Sequence, residues 1–520
     1  MKKLLLLVFF YSLMIFCGQT TESFSQSKNN DSKYSLHLSK IFANEMVLQR
    51  DKPVPVWGKA KAGSKVTVSF SGQLKSTHAG TDGKWKIVLD PLKTNAKNQT
   101  LTVTSGSQKV ECLNVLVGEV WLASGQSNMQ WAMYHTNYTK DELKNLDEPL
   151  IRFITIKRHT SASPQTDVKG EWMKLHSSVT KKISSVAAGF AMELKKELNV
   201  PIGIISSNLG GTRIEPWTPY EGFKNHPDFQ KTASEVKSRN SNPQEAKKDK
   251  EEFIKTVKNW VKKAEAKTES GEQLPPLPIF PTVKITNQTP SALYNAMIHP
   301  LVGFALRGVI WYQGESNMGE GLLYEKRMQA LIRGWRHVWK QGDFPFYYVQ
   351  LAPFGQSSGG RLAGIWEAQF RALKSIKNTG MVVTTDIGNL KSIHPKNKKD
   401  VSKRLALWAL AKDYGKDIVY SGPLYKGFER KDKKVIISFD HAESGLGFKG
   451  KAIYHVFVNS KENKAFVGAT PTIVGSTLVV THPKGEEALH VRMGWNKRAQ
   501  PNLMNKEGLP ASPFRTDGPQ

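Results

Sequence analysis

The chain has 520 residues, of which 39% are hydrophobic and 10% aromatic, and this composition excludes an intrinsically disordered protein. Its formal net charge is +29, from 74 Lys and Arg against 45 Asp and Glu. The basic residues are spread along the chain with no nucleic-acid-binding signature among them, so we interpret them as a solvated surface and expect no nucleic-acid partner. The length predicts two to four domains with a large buried core.

The N-terminal residues have the pattern of a secretory signal peptide. Lys2 and Lys3 precede an apolar run over residues 4–16, and a small and polar stretch follows. We therefore predict a signal peptide over residues 1–27 and an exported protein, periplasmic or secreted. Lipid anchoring at Cys17 is the less favoured alternative, because a bulky residue precedes it. No later stretch reaches the ~18 apolar residues of a membrane span, so no transmembrane segment is expected.

Cysteine usage limits the kinds of cross-link that the mature protein can form. Cleavage beyond Cys17 leaves Cys112 as its one cysteine. A single thiol forms neither an intramolecular disulfide nor a thiolate zinc site. We interpret Cys112 as a small buried hydrophobic residue, and we expect stability to come from packing.

Residues 33–112 alternate between apolar and polar positions, with turns rich in Gly, Asn and Asp between the alternating stretches. The apolar positions include Val66, Val68, Phe70, Trp85, Ile87, Leu101 and Val103. Such alternation is typical of half-buried strands and predicts a small β-sandwich. Residues 416–520 return to the same alternation and predict a second β domain at the C-terminal end.

Residues 113–415 combine short apolar runs with amphipathic helical patterns. The runs cover residues 115–123, 202–206, 308–312, 346–351 and 381–385. Apolar residues at helical spacing lie between several of these runs, over residues 190–198, 328–338 and 401–408. This alternation predicts an α/β domain with a mostly parallel sheet covered by helices on both faces.

One stretch interrupts the α/β pattern. Residues 221–285 are rich in Lys and Glu, and they carry an apolar stripe at helical spacing from Phe253 to Ala264. We interpret the stretch as a helical insertion whose stripe packs on the domain. A membrane-binding or partner-binding helix is the alternative.

An apolar run of the α/β region leads directly into Gly125-Gln126-Ser127-Asn128. A serine just beyond the carboxyl end of a parallel strand lies where such sheets bind their ligands, and the helix that follows supplies backbone N–H groups. This placement suits a serine nucleophile, which needs an accessible oxygen and donors for a developing oxyanion. Taken alone, the pattern also fits a serine that merely caps a helix.

Three further polar segments are expected at the same edge of the sheet. Residues 207–212 contain paired glycines, which either let a backbone N–H approach a substrate closely or simply form a turn. Residues 312–317 offer amide side chains, and residues 386–395 contain His394. Because all these segments follow predicted strands, together they favour a catalytic Ser127 over a capping one.

The segments GQSNM, Gly-Gly-Thr, WYQGESN and IHP followed by KRLALWAL occur in this order along the chain. With PVPVWGKA near the start and RMGWNKRAQPNL near the end, the chain resembles the sialate O-acetylesterase family of SGNH-type carbohydrate esterases. The resemblance implies an SGNH-hydrolase-like (flavodoxin-like) parallel sheet. It also implies a serine esterase that removes acetyl groups from sialic acids through an acetyl-enzyme intermediate. The expected substrate is a small molecule or glycan carrying an O-acetylated sugar, and no metal or cofactor is expected.

The resemblance further implies roles for individual residues. Ser127 matches the nucleophile and His394 matches the general base. Gly211 and Gln313 are the best matches to oxyanion donors, together with the backbone N–H of Ser127. Asn317 is a competing candidate for this role.

The residue that orients the imidazole is left open. SGNH esterases often carry an Asp three residues before the His, and here that position is Lys391. Asp386, Glu315 or a backbone carbonyl remain alternatives, and Glu315 also suits a purely structural role. We therefore expect a Ser–His dyad with no assigned third member.

Several residues near these motifs have two interpretations. Arg213 suits bidentate contact with a substrate carboxylate, but it equally suits an ion pair with Glu215 or another acid. His299 is a rival base that is better explained as a structural histidine. Trp131 and Trp217 suit either stacking on a sugar or core packing.

Two other functions remain open at this stage. An acetyl xylan or other hemicellulose deacetylase would use the same machinery. The lysine in place of the orienting acid gives weight to a carbohydrate-binding protein that has lost catalysis.

Overall fold

The computed structural model describes residues 35–239, 243–278, 285–355, 361–496 and 498–518. The predicted signal peptide and Cys17 lie outside these ranges. Among the described helices, none combines the length and the apolar character that a membrane crossing requires.

The N-terminal β region consists of short strands whose side chains alternate between the core and solvent. In β4, for example, Val66, Val68 and Phe70 are buried and the residues between them are not, because successive side chains of a strand point to opposite faces. β1, β3 and β6 form one antiparallel sheet, and β4 pairs with β5 and β7. The strands are β1 His37–Leu38, β2 Val47–Gln49, β3 Val54–Lys59, β4 Lys65–Phe70, β5 Gln73–His78, β6 Lys84–Leu89 and β7 Asn95–Ser105.

A single long strand, β8 (Gln108–Gly125), joins this region to the α/β region. Its first half pairs antiparallel with β7, and its second half is the central strand of the parallel sheet. Both regions also share one hydrophobic core. The domain boundary expected at residues 112 and 113 therefore falls inside a continuous strand.

The α/β sheet has the order β10-β9-β11-β8-β12-β13-β14, in which β10 alone of the described strands is antiparallel to its neighbour. From β8 the chain passes to β9 on one side and later to β12 on the other. The strand order thus reverses at β8, and such a point opens a crevice at the carboxyl ends of the strands. The added strands are β9 Asp147–Thr155, β10 Trp172–His176, β11 Ile202–Asn208, β12 Gly308–Tyr312, β13 Phe346–Val349 and β14 Thr379–Val382.

Helices cover both faces of this sheet, which confirms the predicted layer arrangement. Trp121 of β8 packs on Phe190 of α3, whereas Trp311 of β12 packs on Trp335 of α7. Trp311 pairs in register with Ser124, three residues beyond Trp121, so the two tryptophans point to opposite faces. The α-helices are α1 Ser127–Gln130, α2 Lys140–Lys144, α3 Ser185–Leu198, α4 Tyr220–Lys224, α5 Gln230–Arg239, α6 Pro243–Glu269, α7 Leu323–Trp339, α8 Arg361–Ser375 and α9 Lys399–Asp413.

Within the predicted insertion at 221–285, Gln230–Arg239 and Pro243–Glu269 are helical. Apolar residues of α5 pack with α4 and α7 in a small separate cluster. On the α6 stripe, Ala264 is buried, Phe253, Val257 and Trp260 are half-buried and Val261 is exposed. Trp260 donates to the carbonyl of Pro275 in the same insertion. None of the described core clusters includes a residue of α6.

The C-terminal region is all-β with its own hydrophobic core. β15, β16, β21 and β20 form one antiparallel sheet, and β19, β18, β22 and β24 form another. The strands are β15 Leu424–Lys431, β16 Lys434–Asp440, β17 Leu446–Phe448, β18 Val456–Ser460, β19 Val467–Gly468, β20 Thr472–Val474, β21 Thr477–Thr481, β22 Ala488–Met493, β23 Leu503–Asn505 and β24 Phe514–Arg515.

Candidate active site

Ser127 lies at the first residue of α1, immediately beyond the carboxyl end of β8. Its Oγ is 2.8 Å from Nε2 of His394, which lies on the loop between β14 and α9. The structure thus brings together two predicted residues that are 267 positions apart in the chain. A hydroxyl at this distance donates its hydrogen bond to a neutral imidazole nitrogen, which is the arrangement that activates a serine.

The surroundings of His394 favour its neutral form. Its ring stacks on Trp131, with 4.8 Å between centroids and 24° between planes. Partial burial, together with the nearby charge of Lys398, lowers the pKa of His394 below its usual value. At neutral pH the imidazole is therefore a base that can accept the proton of Ser127.

Neither carboxylate that was considered for orienting the imidazole lies on it. Both oxygens of Asp386 accept hydrogen bonds from Arg404, at 2.7 and 2.6 Å. Glu315 is buried and accepts a hydrogen bond from the Asn128 side chain. Within the described ranges, no acid is hydrogen-bonded to His394, so neither of the two alternatives, Asp386 and Glu315, contacts the imidazole here.

A buried polar cluster of Asn128, Glu315 and Lys398 lies beside the dyad. The Asn128 amide nitrogen donates to Glu315 and, at 3.0 Å, to the carbonyl of Ile393. Its oxygen accepts a hydrogen bond from Nζ of Lys398 at 2.5 Å. Burial lowers the pKa of Lys398 to about 7 against the opposing effect of Glu315, and burial raises the pKa of Glu315.

The paired glycines border Ser127. A Cβ built on Gly210 would lie 3.3 Å from Cβ of Ser127, and the Gly210 amide donates to Oε1 of Gln130 at 2.7 Å. Gly211 has a φ of +72° and open space where a Cβ would be. Among the described residues, neither the Gly211 nor the Ser127 amide has a hydrogen-bond acceptor, so both can donate to a substrate oxygen.

Gln313 and Asn317 lie in a buried network behind the glycine loop. The Gln313 amide nitrogen donates to the carbonyl of Thr212 at 3.1 Å and to Oδ1 of Asn317 at 2.8 Å. Asn317 also accepts from the Ile214 amide at 3.0 Å and donates to Glu215 at 3.0 Å. Both side chains are fully buried, and the two amide protons of Gln313 both have acceptors. This arrangement supports the loop and occupies both amide protons of Gln313. One amide proton of Asn317 has no acceptor among the described residues, so Asn317 stays a predicted oxyanion donor.

Three of the four residues with two interpretations have the structural role in the fold, namely Arg213, Trp217 and His299. Arg213 is held by Glu215, at 3.0 Å, and by Glu320. Trp217 is fully buried in the core, and His299 Nδ1 lies 2.7 Å from the carbonyl of Gln165. Trp131, in contrast, stacks on the imidazole of the dyad.

Sequence reasoning missed the supporting side chains. Asn128 and Gln126 stand in the recognised GQSNM segment but received no role. Gln126 Oε1 accepts from the backbone amides of Gly314 and Ser316, at 3.3 and 3.4 Å, and so ties β8 to the loop after β12. Only its place before a predicted helix distinguished Lys398 in the sequence, because a sequence does not show whether a lysine is buried or exposed.

The described residues contain no group of three or more His, Cys, Asp and Glu side chains that could hold a metal ion.

Comparison with known proteins identifies the family. A model of the carbohydrate esterase family of sialic acid-specific acetylesterases matches residues 117–247 and 282–409. The sialate O-acetylesterase of Rattus norvegicus is 31% identical over 465 residues, which are 81% of this chain and 80% of that protein. The sialate O-acetylesterase of Mus musculus is 33% identical over 429 residues, which are 74% of this chain and 75% of that protein.

A solved structure agrees with these sequence relatives. The crystal structure of a carbohydrate acetylesterase from Xanthomonas citri superimposes with a TM-score of 0.78 at 31% identity, and it covers 93% of this chain and 99% of its own. These matches confirm the resemblance found in the sequence motifs. The chain therefore belongs to the family of sialic acid-specific acetylesterases among the carbohydrate esterases, and it is a carboxylic ester hydrolase.

Proposed function

We propose that the protein is a sialate O-acetylesterase in which Ser127 is the nucleophile and His394 is the general base. The observation that carries this proposal is the 2.8 Å contact between Ser127 Oγ and His394 Nε2 at the switch point of the sheet. The sialate specificity is supported by the activity for which two relatives are named. It therefore depends on similarity, whereas the proposed chemistry depends on geometry.

The proposed reaction has two halves. His394 takes the proton of Ser127 as the hydroxyl oxygen attacks the acetyl carbonyl, and the resulting imidazolium returns this proton to the leaving sugar oxygen. Water then attacks the acetyl-serine, with His394 again acting first as base and then as acid. Acetate leaves and the serine is restored.

The negative charge that develops on the carbonyl oxygen needs fixed donors. The backbone amides of Ser127 and Gly211 are the candidates, because Gly211 follows Gly210, whose backbone lies beside Ser127, and because neither amide has an acceptor among the described residues. A well-placed donor of this kind contributes roughly 3–4 kcal/mol to transition-state stability. The Gly-Gly pair suits this role because its backbone approaches Ser127 with no side chain between them.

Acetate release from O-acetylated sialic acids by the purified protein tests the function. We expect Ser127→Ala and His394→Ala each to lose at least about a thousandfold in kcat, and Ser127→Ala to lose labelling by a fluorophosphonate. Ser178→Ala is the matched control, because its hydroxyl is exposed and contacts His176 on the surface. Full activity in Ser127→Ala would show that the mechanism is wrong.

The substrate class needs its own comparison, because the relative from Xanthomonas citri is described only as a carbohydrate acetylesterase. We expect acetate release from O-acetylated sialosides and much less from acetylated xylan. The reverse preference would select a hemicellulose deacetylase. Sugar binding without acetate release or Ser127 labelling would select a non-catalytic carbohydrate-binding protein.

We also propose that the protein is exported, on the basis of the signal-peptide pattern in residues 1–27. Mass spectrometry of the N-terminus after expression of the full chain tests this. Cleavage beyond Cys17 supports a released protein, whereas a lipid-modified Cys17 would favour an anchored one.

A further inference from the structure

Lys398 is a fully buried lysine that has no acid within ion-pair distance in the described part of the chain. Its Nζ donates to Oδ1 of Asn128 at 2.5 Å and lies 5.1 Å from the ring centroid of Tyr312. Burying an ammonium group in this way is costly, because it gives up its water shell. We therefore expect the buried lysine to serve a function, and its hydrogen bond to Asn128 indicates which one.

Asn128 connects Lys398 to the catalytic histidine loop. Lys398 donates to the oxygen of Asn128, and this hydrogen bond fixes the orientation of the amide group. The Asn128 amide nitrogen then donates to Glu315 and to the carbonyl of Ile393. Ile393 directly precedes His394, while Asn128 directly follows Ser127. One side chain therefore joins the two backbones that carry the dyad.

This connection matters because no acid among the described residues orients the imidazole. In the described structure, His394 is held by the stacked ring of Trp131, by the hydrogen bond from its own backbone amide to Ser392 Oγ at 3.1 Å, and by the position of its loop. We propose that Lys398, acting through Asn128, is the positioning residue that sets the His394 loop against Ser127 in place of an orienting carboxylate. This inference rests on the proposed Ser127–His394 chemistry.

The charge of Lys398 has a second consequence for the dyad. A carboxylate beside a catalytic histidine stabilises the imidazolium, whereas a neighbouring ammonium group disfavours it. Among the charged or titratable groups of this site, Lys398 acts on His394. Glu315 and the ring of Tyr312 act in turn on Lys398. Removing the charge of Lys398 therefore raises the pKa of His394. As the pH falls, the variant should lose activity at a higher pH than the wild-type enzyme does.

The test compares Lys398→Met with Lys399→Met in the full protein, using a simple acetyl ester as substrate. Lys399 is the matched control, because it is the next residue and pairs with Glu142 at an exposed site. We expect Lys398→Met to lower kcat roughly ten- to a hundredfold, as a small displacement of a catalytic group does. We also expect the acid limb of its kcat/KM profile to move up by roughly half a pH unit or more. Lys399→Met should leave both quantities unchanged.

The two readouts separate positioning from general structural support. A lower kcat with an unmoved acid limb, or no change in either quantity, would overturn the inference and leave the proposed function intact. Full activity in Ser127→Ala would instead remove the proposed function. An NMR titration of the His394 imidazole measures the same pKa change without turnover.

A second variant keeps the inference testable where Lys398→Met does not fold. Lys398→Gln removes the charge but keeps an amide donor on the side of Asn128. It should move the acid limb upward with a smaller loss in kcat than Lys398→Met. An unmoved limb in a folded Lys398→Gln protein would contradict the inference.

Discussion

At the scale of single residues, Gly125 determines how closely the strand that leads to Ser127 approaches β12. Its φ of +135° is a conformation that other residues rarely adopt, and a Cβ there would lie 2.2 Å from the carbonyl oxygen of Tyr312. We expect Gly125→Ala to push β8 away from β12, move Ser127, and lower kcat on the order of a hundredfold. Steady-state kinetics and thermal unfolding measure both effects.

Gly72 provides the control for that substitution. Its φ is +78°, but no atom lies within 4 Å of the position where a Cβ would be. Gly72→Ala therefore adds backbone strain of about 1–2 kcal/mol without a clash and should leave kcat unchanged. Equal losses of activity in both variants would show that Gly125 has no special role at the site.

The titration of His394 predicts the pH range of the enzyme. Partial burial and the charge of Lys398 lower its pKa below the usual value of about 6.5. The neutral imidazole is the active form in the proposed mechanism, so activity should persist as the pH falls through about 6.5 and be lost only below it. A kcat/KM profile between pH 4 and pH 8 measures this limb. An acid limb above about 6.5 would contradict the assignment of His394 as an unassisted base.

At the scale of elements, the glycine loop is positioned by buried amide side chains. Asn317 accepts from the Ile214 amide and donates to Glu215, so Asn317→Ala leaves buried polar groups without partners. We expect a loss of about 1–3 kcal/mol in the free energy of unfolding, with a moderate fall in kcat as Gly211 moves. Urea unfolding and kinetics on the same samples measure both.

The opposite pattern would identify Asn317 as an oxyanion donor. Removing a direct donor costs roughly a hundred- to a thousandfold in kcat with little effect on stability. Gln288→Ala is a useful comparison, because this exposed side chain supports the same loop by donating to the Gly211 carbonyl at 2.7 Å. It should cost less stability than Asn317→Ala.

At the scale of the whole molecule, the local pattern of apolar and polar residues was enough to predict a sheet covered by helices on both faces. Apolar runs such as 308–312 form strands, and the order of motifs placed Ser127 and His394 at one edge. Strands β9 and β10 were missed, since β9 mixes charged residues and a proline with apolar residues, and β10 is short and includes a lysine and a histidine. The boundary after residue 112 was also predicted without knowing that β8 is one strand.

The partners of charged residues could not be predicted in the same way. Arg213 and Glu320 are 107 positions apart, and Asp386 pairs with Arg404 on a helix that was predicted only from its apolar face. Sequence spacing identifies which residues carry charge, but which opposite charge each one meets depends on how the loops fold. The residues of the site that directly follow strands were therefore predicted well. The partners of charged side chains were predicted poorly, because several opposite charges compete for the same side chain.

A buried carboxylate links the N-terminal β region to the catalytic sheet. Glu119 on β8 is fully buried and contacts Arg50 Nε at 2.6 Å and Arg307 Nε at 2.8 Å. It lies six residues before Gly125, about 20 Å along the strand, and eight residues before Ser127. Burial would raise its pKa, but the hydrogen bonds and charge of Arg307, with those of Arg50 and Gln49, hold the pKa below its usual value.

We expect Glu119→Gln to destabilise the protein by up to about 3–5 kcal/mol, because two partly buried guanidinium groups lose their counter-charge. A group with a lowered pKa stabilises the fold above its unfolded-state pKa and loses this effect as the pH falls through its folded-state pKa. The difference between wild type and variant should therefore be full at pH 7 and shrink in acid, while kcat of the folded enzyme stays unchanged. Glu111→Gln is the control, because Glu111 lies on the same strand at an exposed position with Lys109. Equal destabilisation by both variants in chemical unfolding at pH 7 would show that the buried pairs of Glu119 do not join the two regions.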